Sequence, residues 1–244
     1  MKKKIILKSS ILAVAAGLSV FAINSVFADE LPVQFMGVND FHGALEQTGT
    51  ARLEGETVKN AGTAPLLATY LNDSQKDFET ENAGTPNASI RVQAGDMVGA
   101  SPANSALLQD EPTVKVFNEM NFEYGTLGNH EFDEGLGEFN RIMKGEAPTP
   151  GQFNKIVDEY PHEASKQEVV IANLVDKDTN KIPFDWKPYT IKEIPVNDKT
   201  VKVGFIGVVT TEFPNLVLRK NHEQYRVLDE AESIAKYARE LNDQ

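Results

Sequence analysis

The feature that most constrains the fold is an alternation of short apolar segments with longer amphipathic segments. Strand-like patterns occur at residues 31–38, 89–93, 122–126 and 169–172. Two more strand-like segments, 189–194 and 201–209, lie on either side of a polar turn and predict a hairpin.

Between the strands, apolar residues recur at helical spacing. They follow Thr63, a predicted N-cap, recur in 114–120 and 139–143, and follow Asp229 near the C-terminus. Segments 47–62 and 144–152 are predicted loops. The alternation predicts an α/β domain, with β-sheets flanked by helices.

Composition narrows the partners and the chemistry. The 244 residues are 41% apolar and 25% charged, which is typical of a globular protein. A formal charge of −12 argues against a general nucleic-acid binder, so we expect no nucleic-acid polymer as a partner. Because cysteine is absent, disulfides, thiolate metal sites and a cysteine nucleophile are excluded.

The N-terminal segment has the layout of a secretory signal peptide. Lys2, Lys3 and Lys4 precede a 13-residue apolar run, and Val26-Phe27-Ala28 resembles a cleavage site. A helix needs about 20 apolar residues to span a bilayer, and this run is shorter. We therefore expect residues 1–28 to be removed, and a secreted mature chain 29–244 without a transmembrane span.

Residues able to do chemistry follow three predicted strands directly. The blocks are Asn39-Asp40-Phe41-His42-Gly43, Ala94-Gly95-Asp96-Met97-Val98-Gly99 and Leu127-Gly128-Asn129-His130-Glu131-Phe132-Asp133. In open α/β sheets, ligands bind beyond the carboxyl ends of the strands. Each block alone is typical of an ordinary polar turn, but their shared position after strands predicts one common crevice.

The residue types in these blocks suit divalent cations. Carboxylate, imidazole and carboxamide groups bind such ions without any thiolate. Two cations held about 3.5–4 Å apart can stabilise the attacking and leaving oxygens of a phosphoryl displacement. The sequence offers no convincing serine nucleophile, so the blocks favour hydrolysis assisted by metal ions.

The order of the blocks resembles the calcineurin-like metallophosphoesterase superfamily. More narrowly, it resembles the bacterial secreted 5′-nucleotidase and 2′,3′-cyclic-nucleotide phosphodiesterase family. The matching motifs are Asp40-x-His42, Gly95-Asp96 and Gly128-Asn129-His130-Glu131, within the longer stretches VNDFHG and TLGNHEFD. The resemblance implies the layered metallophosphoesterase fold and a nucleotide or other phosphate ester as substrate.

The resemblance also implies a site with two divalent metal ions, zinc, manganese or similar. Asp40 and His42 would bind the first ion, Asp96 would bridge both, and Asn129 would bind the second. The implied reaction is direct attack of a metal-bound hydroxide on the phosphate.

Two further residues receive catalytic roles from the resemblance. His130 would stabilise the phosphoryl transition state or protonate the leaving oxygen, and Asp133 would orient His130. General chemistry supports this pair, because a carboxylate fixes the imidazole tautomer and raises its basicity.

The later motifs of the family, a lone His and Gly-His-x-His, have no match. The other histidines, His162 after a turn and His222 in a polar loop, are predicted to be surface residues. The chain is therefore predicted to be the N-terminal portion of the domain, incomplete at its C-terminus and without a base-recognition domain. Whether it is active alone is left open.

Two alternative functions stay open on the sequence. The first is a non-catalytic secreted surface or adhesion module on a degenerate phosphoesterase fold. The second is a metallophosphoesterase acting on sugar nucleotides or other phosphodiesters. Cell-surface attachment would then depend on a region beyond this chain.

Three other patterns invite functional interpretations. Asp176-x-Asp178-x-Asn180 fails as a calcium loop, because Lys181 and Lys187 occupy positions that need Gly and Glu. A polar turn is the preferred interpretation, over the nucleophile loop of haloacid-dehalogenase-like phosphatases.

The aromatic group around Trp186 is either a stacking surface or, as we expect, a core cluster. Asn173 matches a position that the resembled family keeps near its site, and its role is left open.

Overall fold

The structure, a computed structural model, describes residues 31–83, 87–196 and 199–243. The predicted signal peptide, residues 1–28, lies outside the described residues, so the proposed boundary at Ala28 stays a prediction. The residues from Pro32 onward form one unit.

The secondary structure follows the predicted alternation. In chain order the strands are β1 (Gln34–Val38), β2 (Gly49–Leu53), β3 (Glu56–Ala61), β4 (Ser89–Gln93), β5 (Tyr124–Gly125), β6 (Glu168–Val169), β7 (Leu174–Asp176), β8 (Tyr189–Val196), β9 (Lys199–Ile206) and β10 (Tyr225–Val227). The helices are α1 (Ala64–Glu81), α2 (Ala103–Ala106), α3 (Glu111–Glu119), α4 (Leu136–Lys144), α5 (Lys155–Asp158), α6 (Arg219–His222) and α7 (Glu230–Asn242). Short 3-10 turns occur at His130–Phe132, Pro183–Asp185 and Phe213–Asn215.

Four strands form a parallel sheet in the order β1-β4-β5-β6. All four correspond to predicted strands, although β5 and β6 are only two residues long. The predicted hairpin is also confirmed, since β8 and β9 pair antiparallel. Strand β10 pairs antiparallel with β7.

Helix starts follow the predicted caps. The Thr63 hydroxyl accepts a hydrogen bond from the Leu66 N–H at the start of α1. The Asp229 carboxylate likewise accepts from the Glu232 N–H before α7. Within the described ranges, no helix combines the length and the apolar character needed to cross a bilayer.

The core lies on both faces of the parallel sheet. On one face, helices α1, α3 and α4 bury apolar side chains such as Leu71, Phe117 and Phe139. On the other face, Ile90 packs with Ile194 of the β8–β9 hairpin. This arrangement is the predicted α/β class, with helices flanking a sheet.

The prediction of a loop over 47–62 is wrong. Strands β2 and β3 form an antiparallel hairpin there, joined by Glu54 and Gly55, which both have positive φ (50° and 89°). The residues of β3 are mostly exposed, so the segment lacks the apolar alternation that identifies a half-buried strand. The predicted loop 144–152 is confirmed, apart from Lys144, which ends α4.

The prediction that His162 is a surface residue is also wrong. Its side chain is 12% exposed, and Nδ1 lies 2.6 Å from Oε2 of the buried Glu111. Glu111 also pairs with Arg141 of α4 at 2.9 Å. A buried ion-pair network with a partner 51 residues earlier in the chain leaves no local sequence signal.

His222 lies in α6 rather than in a polar loop, and it is half-buried against the ring of Phe213. The predicted polar turn at Asp176 is confirmed. The Asp176 carboxylate accepts hydrogen bonds from the N–H groups of Asp178 and Thr179 and from the Thr179 hydroxyl. These donors hold the pKa of Asp176 below its usual range.

Trp186 belongs to an aromatic cluster packed against the core, as expected. Its ring lies 5.0 Å from that of Phe184 and 6.0 Å from that of Phe139, measured between centroids. These contacts leave the stacking-surface alternative without support.

Asn173 has a clear structural role. It is fully buried, and its amide nitrogen donates to the carbonyls of Val209 and Leu228 while its oxygen accepts from the Val209 N–H. The side chain thus joins the segments that follow β9 and β10 to the segment between β6 and β7.

Replacing Asn173 with Ala removes these bonds and leaves buried main-chain groups unsatisfied. We expect a loss of about 2–4 kcal/mol in the free energy of unfolding. Denaturant unfolding followed by circular dichroism measures it. The control is Asn215→Ala, an exposed residue bonded only to Glu212. Equal stability of the two variants would contradict this account.

Candidate functional site

Three loops meet at the carboxyl edge of the parallel sheet because β1, β4 and β5 are neighbours. The main chains of the loops after β1 and β4 are joined directly. The Asp40 N–H donates to the Gly95 carbonyl at 3.2 Å, and the His42 N–H donates to the Asp96 carbonyl at 3.0 Å. The loops after β1 and β4 are therefore held side by side.

Three predicted metal ligands have left-handed backbones. The φ angles are 53° at Asp40, 47° at His42 and 54° at Asp96. Such a conformation costs on the order of 1–3 kcal/mol at a non-glycine residue and persists where the surroundings enforce it. Contacts with neighbouring loops must therefore hold these three residues in place.

The side chains converge on one point. Ligand atoms of His42, Asp96 and His130 all lie within 4.8 Å of one another. The two imidazole rings are perpendicular, with centroids 4.7 Å apart. Asp40 lies at the rim, with one carboxylate oxygen 3.8 Å from Nε2 of His42.

His42 is prepared to bind a cation. Its Nδ1 lies 2.9 Å from the Gly99 carbonyl, and a carbonyl can only accept, so Nδ1 carries the proton. In the neutral ring, Nε2 is then a free electron-pair donor. Together with Asp96 and His130, whose ligand atoms lie close by, it offers nitrogen and oxygen donors of the kind that suit zinc, manganese or iron.

His130 and Asp133 form the predicted pair, with 2.8 Å between Nδ1 and Oδ2. Burial alone lowers the pKa of His130, but the hydrogen bond and charge of Asp133 outweigh it. With Asp96 and Glu131 nearby, the net effect raises the pKa of His130 above its ordinary value. Nε2 of His130 remains available to the crevice.

Asn129 lies directly before His130 at the start of the 3-10 turn, where it is half-buried. Its carbonyl accepts from the Phe132 N–H. In the structure His130 lies beside His42 and Asp96. The resemblance gives His130 a catalytic role and the other two residues a role as metal ligands. The division into metal ligands and catalytic residues stays a prediction.

Glu131 lies within the third motif, and the structure gives it a role. Its carboxylate accepts from the N–H groups of Asp96, Met97 and Gly128. Burial raises the pKa of Glu131 to about 7, against the opposing effect of these hydrogen bonds. The sequence signal that could have identified it is its place in the motif Gly128-Asn129-His130-Glu131.

A second support was not predicted at all. Asp110 accepts from the Gly99 N–H at 3.0 Å and from the Ser105 hydroxyl at 2.6 Å. Because the Gly99 carbonyl orients His42, Asp110 supports that histidine through Gly99. The two residues are 11 positions apart, with α2 between them, and the contact has no motif of its own.

Two glycines permit the close approach of the loops. A Cβ on Gly128 would lie 2.2 Å from a carboxylate oxygen of Asp96, and one on Gly95 would lie 2.5 Å from the Gly128 nitrogen. Neither approach is tolerable for a side chain. The Asp96 loop can therefore contact the His130 loop only with glycine at these positions.

A cavity of about 110 Å³ opens beside His130 and Asp133, and Gln109, Asp110 and Glu138 also line it. Sites that enclose a drug-sized ligand measure about 300–1,000 Å³. The cavity therefore has room for a group such as phosphate but not for a nucleoside.

Known proteins resemble this chain over most of its length. Cell wall protein Lmo0130 of Listeria monocytogenes is 53% identical over 218 residues, which are 89% of this chain and 26% of that protein. Endonuclease YhcR of Bacillus subtilis is 36% identical over 215 residues, 87% of this chain and 16% of that protein. A 2′,3′-cyclic-nucleotide 2′-phosphodiesterase/3′-nucleotidase of Salmonella typhimurium is 29% identical over 167 residues, 64% of this chain and 23% of that protein.

Solved structures share the fold. NAD nucleotidase of Haemophilus influenzae gives a TM-score of 0.62 at 23% identity, over 87% of this chain and 32% of that chain. The calcineurin-like phosphoesterase YfkN of Bacillus subtilis gives 0.58 at 23% identity, over 86% of this chain and 58% of that chain. No family model matches.

This chain resembles members of the 5′-nucleotidase and 2′,3′-cyclic-nucleotide phosphodiesterase family. Its calcineurin-like phosphoesterase fold confirms the predicted class. The chain spans about a quarter or less of the three relatives named above.

We expect Asp133→Asn to lower the pKa of His130, because Asn keeps the shape of Asp but loses its charge. The measurement is a pH titration of the His130 ring by NMR in protein freed of cations. Asp178→Asn, in the exposed turn after β7, is the matched control. An unchanged or higher pKa in Asp133→Asn would show that this carboxylate does not determine the charge of His130.

Proposed function

We propose that this chain carries part of the active site of a secreted, metal-dependent nucleotide phosphohydrolase. The observation that carries the proposal is the convergence of His42, Asp96 and His130 within 4.8 Å, on loops from three adjacent strands. The resemblance to nucleotidases and phosphoesterases and the fold support phosphoesterase activity. The finer activity would be that of a 5′-nucleotidase, a 2′,3′-cyclic-nucleotide phosphodiesterase, or both.

In this proposal Asp40 and His42 would hold one divalent cation, Asp96 would serve both ions, and Asn129 would help to hold the second. The donor set fits such ions, since His42 presents Nε2 and Asp96 has carboxylate electron pairs beyond the bond from the His130 N–H. Bound cations would activate water and neutralise charge on the phosphate. The chain's own residues fix the positions of these donors.

His130, oriented by Asp133, would donate a proton in the reaction. Asp133 accepts from Nδ1, which directs Nε2 of His130 towards the crevice. A protonated Nε2 can donate to a phosphoryl oxygen or to the leaving oxygen, as general-acid catalysis requires. Gly99 borders this pair so closely that an added Cβ would lie 2.7 Å from Oδ2 of Asp133.

The substrate class rests on the relatives. Several relatives are named as nucleotidases or cyclic-nucleotide phosphodiesterases. These names do not favour the alternative of a non-catalytic surface module. One relative is named an endonuclease, but a formal charge of −12 still argues against a polymer substrate here.

Secretion is proposed from the signal-peptide pattern of residues 1–28. The resemblance to a protein named as a cell wall protein supports an extracellular or cell-wall location. The metal site contains only oxygen and nitrogen donors, which is compatible with an oxidising extracellular environment.

The test is product release by the full-length gene product with added Mn²⁺ or Zn²⁺, measured as free phosphate for the monoester and as the ring-opened nucleotide, the freed aryl alcohol or DNA fragments for the diesters. The substrates are AMP, 2′,3′-cyclic AMP, an aryl phosphodiester and single-stranded DNA. We expect metal-dependent release from at least one nucleotide, and a fall of at least about 100-fold in Asp96→Asn, since supporting contacts to a metal are already worth 10–100-fold.

Asp178→Asn serves again as the control and should keep full activity. Circular dichroism of Asp96→Asn checks that the fold is intact. Metal-independent activity, full activity of Asp96→Asn, or no release from any nucleotide would contradict the proposal. Cleavage of DNA alone would instead assign the polymer substrate that we do not expect.

A further inference from the structure

The carboxylate of Glu131 is buried without a cationic partner. The residue is 2% exposed, and among the described residues no lysine, arginine or histidine lies within ion-pair distance of it. Transferring an unpaired carboxylate out of water is expensive unless hydrogen bonds compensate. In an ordinary packing role, an apolar side chain would cost less.

All three hydrogen bonds of this carboxylate come from the main chain of the site. Oε2 accepts from the N–H of Asp96 at 3.0 Å and of Gly128 at 2.6 Å, and Oε1 accepts from the Met97 N–H at 2.8 Å. When the carboxylate is ionised, its bonds to N–H donors are of the stronger, charge-assisted kind. One side chain thus joins the loop after β4 to the loop after β5.

The link runs in both directions between the loops. Asp96 returns a bond, since its carboxylate oxygen accepts from the His130 N–H at 2.9 Å. Asp96 also has the left-handed φ of 54°, which needs external contacts to persist. Glu131 supplies such contacts on the N–H of Asp96 and of the residue that follows it.

We propose that Glu131 is a positioning residue that holds the Asp96 and Gly128 main chains in the cation-binding arrangement before any cation is bound. Its consequence for catalysis rests on the proposed function. The structural effect does not, because it concerns hydrogen bonds in the protein alone. The ligand oxygens of Asp96 would then need little rearrangement when cations bind.

Glu131→Gln tests this with almost no change in shape. Glutamine has one acceptor oxygen, and its amide group presents hydrogens towards main-chain N–H groups. At least one of the three N–H groups then loses its acceptor. Glu111→Gln is the matched control, since Glu111 is a buried carboxylate that bonds to Arg141 and His162 and not to the site loops.

The first measurement is amide hydrogen exchange by NMR in the cation-free chain. In Glu131→Gln we expect at least one of the amides of Asp96, Met97 and Gly128 to exchange about tenfold faster or more. In Glu111→Gln these amides keep their wild-type rates. Unchanged rates in Glu131→Gln would overturn the proposal.

The second measurement is calorimetric titration with Mn²⁺. We expect about 10–100-fold weaker binding in Glu131→Gln, the range for residues that orient metal ligands, and wild-type binding in Glu111→Gln. Faster exchange with unchanged Mn²⁺ affinity would overturn the positioning role. If the wild-type chain bound no Mn²⁺, the proposed function would fail. The exchange rates would still test whether Glu131 holds the three N–H groups.

Glu131→Asp keeps the test decisive should Glu131→Gln fail to fold. Aspartate keeps the charge and both oxygens but is one methylene shorter, so it cannot reach all three N–H groups in place. At least one of the three amides should then exchange faster than in wild type. Wild-type rates at all three would overturn the proposal.

Discussion

The site depends on the parallel pairing of β4 between β1 and β5. Parallel neighbours place their carboxyl ends at one edge, so the loops that follow them meet. The Asp96 loop lies in the middle and bonds to both of its neighbours, to Asp40 and His42 on one side and to Glu131 on the other. Every proposed role in catalysis starts from this adjacency.

The adjacency concentrates negative charge in a chain that is already acidic. Asp40, Asp96, Glu131 and Asp133 all belong to the three loops, while the formal charge of the chain is −12. An anionic phosphate ester would be repelled by this arrangement alone. In the proposed function, bound cations would reverse the local field, since the largest charges at such a site are those of the ions themselves.

Much of this arrangement could be predicted from the sequence because its signals are local. An apolar strand followed by Asp-x-His, Gly-Asp or Gly-Asn-His is a contiguous pattern, and parallel order then brings the patterns together. The caps at Thr63 and Asp229 and the polar turn at Asp176 are local for the same reason.

What the sequence did not reveal depends on contacts across the fold. His162 is buried because it meets Glu111 of α3, and Asp110 acts on His42 through Gly99. The β2–β3 hairpin is largely exposed in β3, so burial imposes no alternation on it. Side chains whose partners lie far along the chain or in solvent carry no periodic signal.

The central claim is that these loops form a site for two cations bridged by Asp96. A crystal of the protein grown with Mn²⁺ and measured at the manganese absorption edge tests it most directly. The account predicts two anomalous peaks about 3.5–4 Å apart, with the Asp96 carboxylate between them and His42 Nε2 on one. No peak at the crevice, or peaks that do not contact Asp96, would contradict it.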